Sequence, residues 1–167
     1  ISLWGYNPMS KLPASIRFNN PGAQYPGKSS SRFGSIGTEV IGGGHKIALF
    51  DDPVKGAAAQ FDLLNRAYSG LPLSAAIQKW SGGNSSSEYV ANIARATGLA
   101  PDSVLSPELL SDPSKVLPLV KAMARHEAGQ DYPMNDQQWT DALNLALGRD
   151  AAAPSRPAAV PSSIVAA

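Results

Sequence analysis

One carboxylate in this sequence stands where a proton-transferring group would be placed. Glu127 lies in "VKAMARHEAG" and follows Val116, Val120 and Met123 at helical spacing. Those offsets fall on one side of a helix with 3.6 residues per turn, so the carboxylate extends an apolar stripe while Arg125 points elsewhere. Burial disfavours the charged form of a carboxyl, and the negative end of a helix dipole disfavours it again. Both effects raise the pKa toward the range a general acid needs near neutral pH. The competing reading is a helix that has reached the surface and ends in a solvated glutamate before Gly129.

The elements that must position Glu127 are legible as helices. "FDDP" announces the first, with Asp51 or Asp52 as cap and Pro53 at the first helical position. Val54, Ala57, Ala58, Phe61, Leu64 and Tyr68 follow at helical spacing, and Gly70 ends it. A short helix, "LSAAIQKW", aligns Leu73, Ala76, Ile77 and Trp80. In "SGGNSSSEYVANIARATG", Ser85 and Glu88 suit a capping box, and Tyr89, Val90, Ile93 and Thr97 form the inner side. "SDPSKVLPLVKAMARHEAG" repeats the Asp-Pro start, and Pro118 can bend it. A last helix, Asp136 to Leu147, buries Trp139, Leu143 and Leu147. Two strands, 39–41 and 46–50, flank "GGGH" as a hairpin. The expectation is a mainly α fold, of α+β type, with a small β-hairpin near the N-terminus.

Composition sets the frame. The 167 residues suit one domain, 1–149, followed by an Ala/Pro/Ser-rich tail, 150–167, that reads as a linker or disordered end. Charged residues make up 16% and the net charge is +1, with no Lys/Arg run, so no nucleic-acid footprint is present. No apolar run approaches a membrane span. Cysteine is absent, which excludes disulfides and thiol chemistry and fits a periplasmic or phage protein as well as many cytosolic ones. The chain begins at Ile1 rather than methionine, as a processed or excised fragment would.

"SIRFNNPGAQYPG", "HKIALFDDPVKGAAAQFDLL", "LPLSAAIQKWSGGNSSSEYVANIARATGL" and "VKAMARHEAG" together resemble a family of phage virion and prophage proteins. That family runs from an Arg-Asn-Asn-Asn-Pro-Gly-Asn start, through a Phe-x-x-Phe-Asp-x-Pro step, a Trp-containing loop and a Tyr-Val/Ile helix, to a closing His-Glu-x-Gly. The match covers residues 15 to 129, and the order of the motifs is more specific than any one of them. Ala23-Gln24 stand where the family prefers Asn-Ile. The first three blocks are also similar to bacterial cell-wall glucosaminidases of the lysozyme-like superfamily. That superfamily carries its catalytic glutamate at a helix end before the β element, yet no acidic residue precedes Asn19 here. "ARHEAGQDYP" is similar to the Glu-Ser-x-x-x-Pro segment of lytic transglycosylases. The resemblance therefore implies a circularly permuted lysozyme-like domain with Glu127 as the acid.

What it implies is cleavage of peptidoglycan glycan strands between MurNAc and GlcNAc, in the periplasm, at the cell envelope or on a virion. A lytic transglycosylase manages with one acid, whereas a retaining or inverting hydrolase needs two. The best second acid is Glu39, otherwise an exposed strand-end glutamate. Asp51 and Asp52 are better read as caps, and Asp131 as a surface-loop residue. Asn19, Asn20 and Gln24 can bond the amide and hydroxyl groups of an amino sugar, or serve turn chemistry around Pro21-Gly22. Tyr25, Tyr89 and Tyr132 can stack on sugar faces, or pack with a satisfied hydroxyl. Trp80 and Trp139 read as core. His126, about 100° around the helix from Glu127, reads as a cap or core-edge residue. With His45 as the second histidine, no metal site is expected. Gly42-Gly43-Gly44 lacks the residues of a phosphate loop, and no cofactor is expected. The alternative function is a non-catalytic lysozyme-like domain that binds glycan or builds a phage or envelope structure. A helical partner-interaction module is a third.

Overall fold

The computed structural model describes residues 12–83 and 86–149. The tail beyond 149 and Ser85, expected from sequence as a cap, lie outside them. The described chain runs α1 (Ala14–Arg17), α2 (Lys28–Arg32), β1 (Gly37–Val40), β2 (Lys46–Leu49), α3 (Pro53–Leu63), α4 (Leu73–Ser81), α5 (Ser86–Thr97), α6 (Pro107–Ser111), α7 (Pro113–Ala128) and α8 (Asp136–Ala146). It is a mainly helical α+β fold with one antiparallel hairpin, in which Gly37 faces Leu49 and Val40 faces Lys46.

The long helices begin as their sequences dictate. Asp52 accepts from the Val54 N–H at 2.8 Å and Asp112 from Ser114 at 3.0 Å, each ahead of a proline at the first helical position. Asn135 and Gln138 form a reciprocal capping box on α8. α3 buries Ala57, Ala58, Ala59 and Phe61, then widens into a π-helical turn over Leu64–Tyr68 that buries Tyr68. Pro118 sits inside α7 without interrupting it. Gly129, at φ 72°, adopts the left-handed conformation that ends α7 directly after Glu127 and Ala128.

The pairing of helices differs from one expectation. The apolar stripe of α7 suggests packing on the helix that starts at Pro53. Instead α7 packs principally on α5, and α3 on α8. The cause is visible in the side chains. Tyr89, Val90 and Ile93 of α5 are buried, and the Tyr89 hydroxyl reaches the Met123 carbonyl of α7 at 3.4 Å. The small Ala57–Ala59 face of α3 lies in the same core as Trp139, Ala142 and Leu143 of α8.

α1, α2 and α6 carry too little 3.6-residue periodicity to announce themselves. α2, "KSSSR", is held by tertiary bonds. Ser29 donates to Asp62 of α3 at 2.6 Å, and Arg32 and Arg66 close on the same carboxylate at 2.5 and 2.9 Å. Burial works against that charge, but the Ser29 hydroxyl and the two guanidiniums outweigh it and hold the Asp62 pKa below its ordinary value.

Residues 18–24 run along the outer edge of β2 and are fastened there. Phe50 N–H donates to the Phe18 carbonyl at 3.0 Å, and Ala48 N–H to the Gln24 carbonyl at 3.1 Å. The Asn20 side chain bridges the two: Nδ2 donates to the Gln24 and Ala48 carbonyls, and Oδ1 accepts from Gln24 N–H. α3 approaches this loop so closely that a Cβ on Gly56 would stand 1.9 Å from the Asn19 carbonyl oxygen. Asn19 and Ala23 both take positive φ, at 55° and 49°.

Candidate active site

Glu127 reaches the wall of a groove of about 470 Å³. The loop at Gln24–Ser29 forms one side. Ile41 and His45, at the hairpin turn, lie above it, Leu63 and Tyr68 come from the end of α3, and Lys79 to Ser81 from α4. Tyr89 and His126 complete the end that holds Glu127. The hairpin turn and the end of α7 therefore meet at one concave surface, although they lie far apart in sequence.

The acid itself is partly buried. Loss of water around it raises its pKa from the ordinary 4.5 to about 7, against the opposing effect of a hydrogen bond from Tyr89. That bond is 2.8 Å, from the phenol hydroxyl to Oε2. Tyr89 is 2% exposed, and burial, then the adjacent carboxylate, pushes its own pKa up, so the phenol stays a donor. On the other face of the phenol lies the His126 ring, with centroids 3.8 Å apart and planes 20° from parallel. The Asn92 amide nitrogen stands 3.1 Å from His126 Nδ1 and donates to it, which leaves the ring proton on Nε2. Burial lowers the His126 pKa against the pull of Glu88, so the ring beside Glu127 is neutral at pH 7.

Such a carboxyl can give a proton to an incoming oxygen and accept one back. Among the described residues it is the single carboxyl lining the groove. Glu39, expected as a second acid, is exposed on β1 and lies outside the lining. The reason is geometric: the hairpin turns its tip, Ile41 and His45, toward the groove and leaves Glu39 farther back on the strand. Asp131 is likewise outside, exposed and paired with Arg125 at 2.6 Å. Asp52 caps α3 as expected, and Asp51 pairs with Lys55.

The groove collects three of the six residues expected to bind substrate. Gln24, Tyr25 and Tyr89 line it, with Tyr25 half-exposed and stacked on His45 at 5.6 Å. Gln24 is 4% exposed and its Oε1 has no partner. Asn19, Asn20 and Tyr132 do not line it. Asn19 donates to the Phe50 carbonyl, and the fully buried Asn20 spends its amide on the loop and β2. The Tyr132 hydroxyl donates to the Ser15 carbonyl at 2.8 Å while its ring packs edge-on to Trp139. These three hold the fold that carries the site.

Other lining residues, Trp80, Lys79, Lys28 and Ser29 among them, were not expected there. Trp80 reads as core from its stripe, yet it is only partly buried and donates Nε1–H to the Gly22 carbonyl at 3.0 Å. Its neighbour Lys79, and Lys28 and Ser29 at the start of α2, have no periodic signal at all. The Trp at the exit of α4, just ahead of a Gly-Gly, is the signal that could have placed this helix end at a surface site.

No family model matches the sequence, and no curated protein sequence matches it.

Proposed function

We propose that this protein cleaves the glycosidic bond between MurNAc and GlcNAc in peptidoglycan by lytic transglycosylation, with Glu127 as acid and then base. The observation that carries the reading is a partly dehydrated carboxyl, with its pKa raised to about 7, in a groove lined by no other acid among the described residues. The protonated carboxyl gives its proton to the bridging oxygen, which leaves as the 4-hydroxyl of GlcNAc while positive charge develops at C1 of the muramyl ring. The resulting carboxylate then takes the proton of that ring's 6-hydroxyl as O6 bonds to C1. The product is a 1,6-anhydro ring, Glu127 ends protonated as it began, and no water is consumed. Tyr89 steadies Glu127 through the hydrogen bond to Oε2, which grows stronger as the carboxylate appears.

A hydrolase of the two-carboxylate type would call for a second acid across the groove, and the described residues of the lining offer none. Substrate and product place this activity in the cell envelope. Among the described residues no helix is long and apolar enough to cross a membrane. The test is mass analysis of digested peptidoglycan. Anhydromuramyl ends are the expected product. Reducing ends would replace transglycosylation by hydrolysis, and intact sacculi at every pH tried would leave a non-catalytic glycan-binding domain.

A further inference from the structure

The groove holds more positive charge than its one acid requires. Lys28, the first residue of α2, and Lys79 of α4 both line it. Among the described residues neither pairs with a carboxylate. Lys79 is held in place: its Nζ donates to the Ala67 carbonyl at 2.7 Å and stands 4.5 Å from the centre of the Tyr68 ring. An ammonium has three N–H donors, so this arrangement leaves capacity for an incoming acceptor. Burial and the Tyr89 hydroxyl account for the Glu127 carboxyl's state, with no contribution from either ammonium. Both lysines therefore line the groove without forming an ion pair with Glu127.

A peptidoglycan strand has an uncharged sugar backbone where its lactyl groups are amide-linked, and its free carboxylates hang on the peptide stems. We infer that Lys28 and Lys79 form a subsite for stem-peptide carboxylates, which makes the protein select stem-bearing strands over bare glycan. This rests on the proposed function and names the part of the substrate that the groove distinguishes. An exposed ammonium–carboxylate contact is modest alone. Two such contacts together give a preference of about five- to tenfold.

Binding and cleavage are tested apart. The Glu127→Gln protein is titrated with a disaccharide tetrapeptide, with the same compound after amidation of its carboxylates, and with the disaccharide freed of its stem and amidated at the lactyl carboxyl so exposed. The charged ligand is expected to bind about five- to tenfold more tightly than the other two, and its advantage should shrink as salt rises. Lys28→Gln alone should reduce the preference, and Lys28→Gln with Lys79→Met should abolish it. Equal Kd values for the three ligands, no binding of any, or a preference that survives both substitutions would overturn the subsite. The protein with Glu127 intact is assayed separately on stem-free strands. Failure to cleave them sinks the proposed reaction while the ligand preference stands on its own measurement.

Discussion

The Tyr89 hydroxyl donates a 2.8 Å hydrogen bond to Oε2 of Glu127 across the α5–α7 contact. It joins the two helices and tunes the acid at once. Dehydration lifts the carboxyl toward neutrality, and the phenol draws it partway back. Tyr89→Phe removes the second effect while keeping the ring stacked on His126. The Glu127 pKa should then rise further, moving the alkaline limb of the pH–rate profile to higher pH. Loss of a hydrogen bond to the developing carboxylate should slow turnover by roughly tenfold. A profile superimposable on the parent's would show that the bond does neither.

Glu127→Gln preserves shape and removes the transferable proton. Turnover of purified peptidoglycan should drop roughly 10²–10⁴-fold, the usual worth of general acid–base catalysis. The parent's kcat/KM should decline as pH rises through about 7, because the first step needs the protonated carboxyl. Glu39→Gln should leave turnover unchanged, since Glu39 is exposed and outside the groove. Equal losses from both substitutions would restore a two-acid mechanism.

The same raised pKa has a cost in stability. Below 4.5 both folded and unfolded chains hold the proton, and Glu127 neither adds nor subtracts. Between 4.5 and about 7 the unfolded chain has released the proton while the folded one keeps it, so stability falls as pH rises. Above about 7 the full penalty stands, on the order of 3 kcal/mol. Glu127→Gln should therefore unfold at a higher denaturant concentration than the parent at pH 8 and at about the same concentration near pH 4. A constant difference across that range would mean the carboxyl is not dehydrated.

Ala23 holds a left-handed conformation, φ 49°, on the rim of the groove. An alanine there is strained by its Cβ against the backbone, and asparagine tolerates that region better. Ala23→Asn should raise stability by roughly 0.5–1 kcal/mol, read from the urea midpoint. A lower midpoint would mean that the loop, and not residue 23, dictates the strain.

Asn20 is the residue most easily misread from sequence. Its amide suits a sugar, yet it is fully buried and makes three hydrogen bonds that tie residue 24 to β2. Asn20→Ala should cost about 3 kcal/mol, because Ala48 and Gln24 lose buried partners. A melting temperature equal to the parent's would return Asn20 to the list of ligand-facing amides. No local pattern tells whether an amide serves a ligand or a distant carbonyl; the partner Ala48 lies on another element. Glu127 was legible for the opposite reason. Its environment is set by its own helix, where the stripe of Val116, Val120 and Met123 fixes the face and Gly129 fixes the end. Tyr89 was legible as buried, but its bond to Glu127 depends on how α5 meets α7. Lys79 and Trp80 became groove residues only because the end of α4 converges with the loop at Gly22, a relation between segments that carry no shared period.

Gly56 gives the groove two rims of unequal persistence. With the α3 backbone against the Asn19 carbonyl, the loop at 18–24 can lift only by parting from a buried helix and from β2. The Ala48 and Phe50 amides, which donate to Gln24 and Phe18, should thus exchange hydrogen for deuterium only when the whole core opens. The exposed glycines at 42–44 have no such anchor and should exchange early. The loop at 18–24 is a fixed jaw, while the hairpin tip, which meets the neighbouring Tyr25 only through the His45 ring, is the part of the groove wall expected to loosen first.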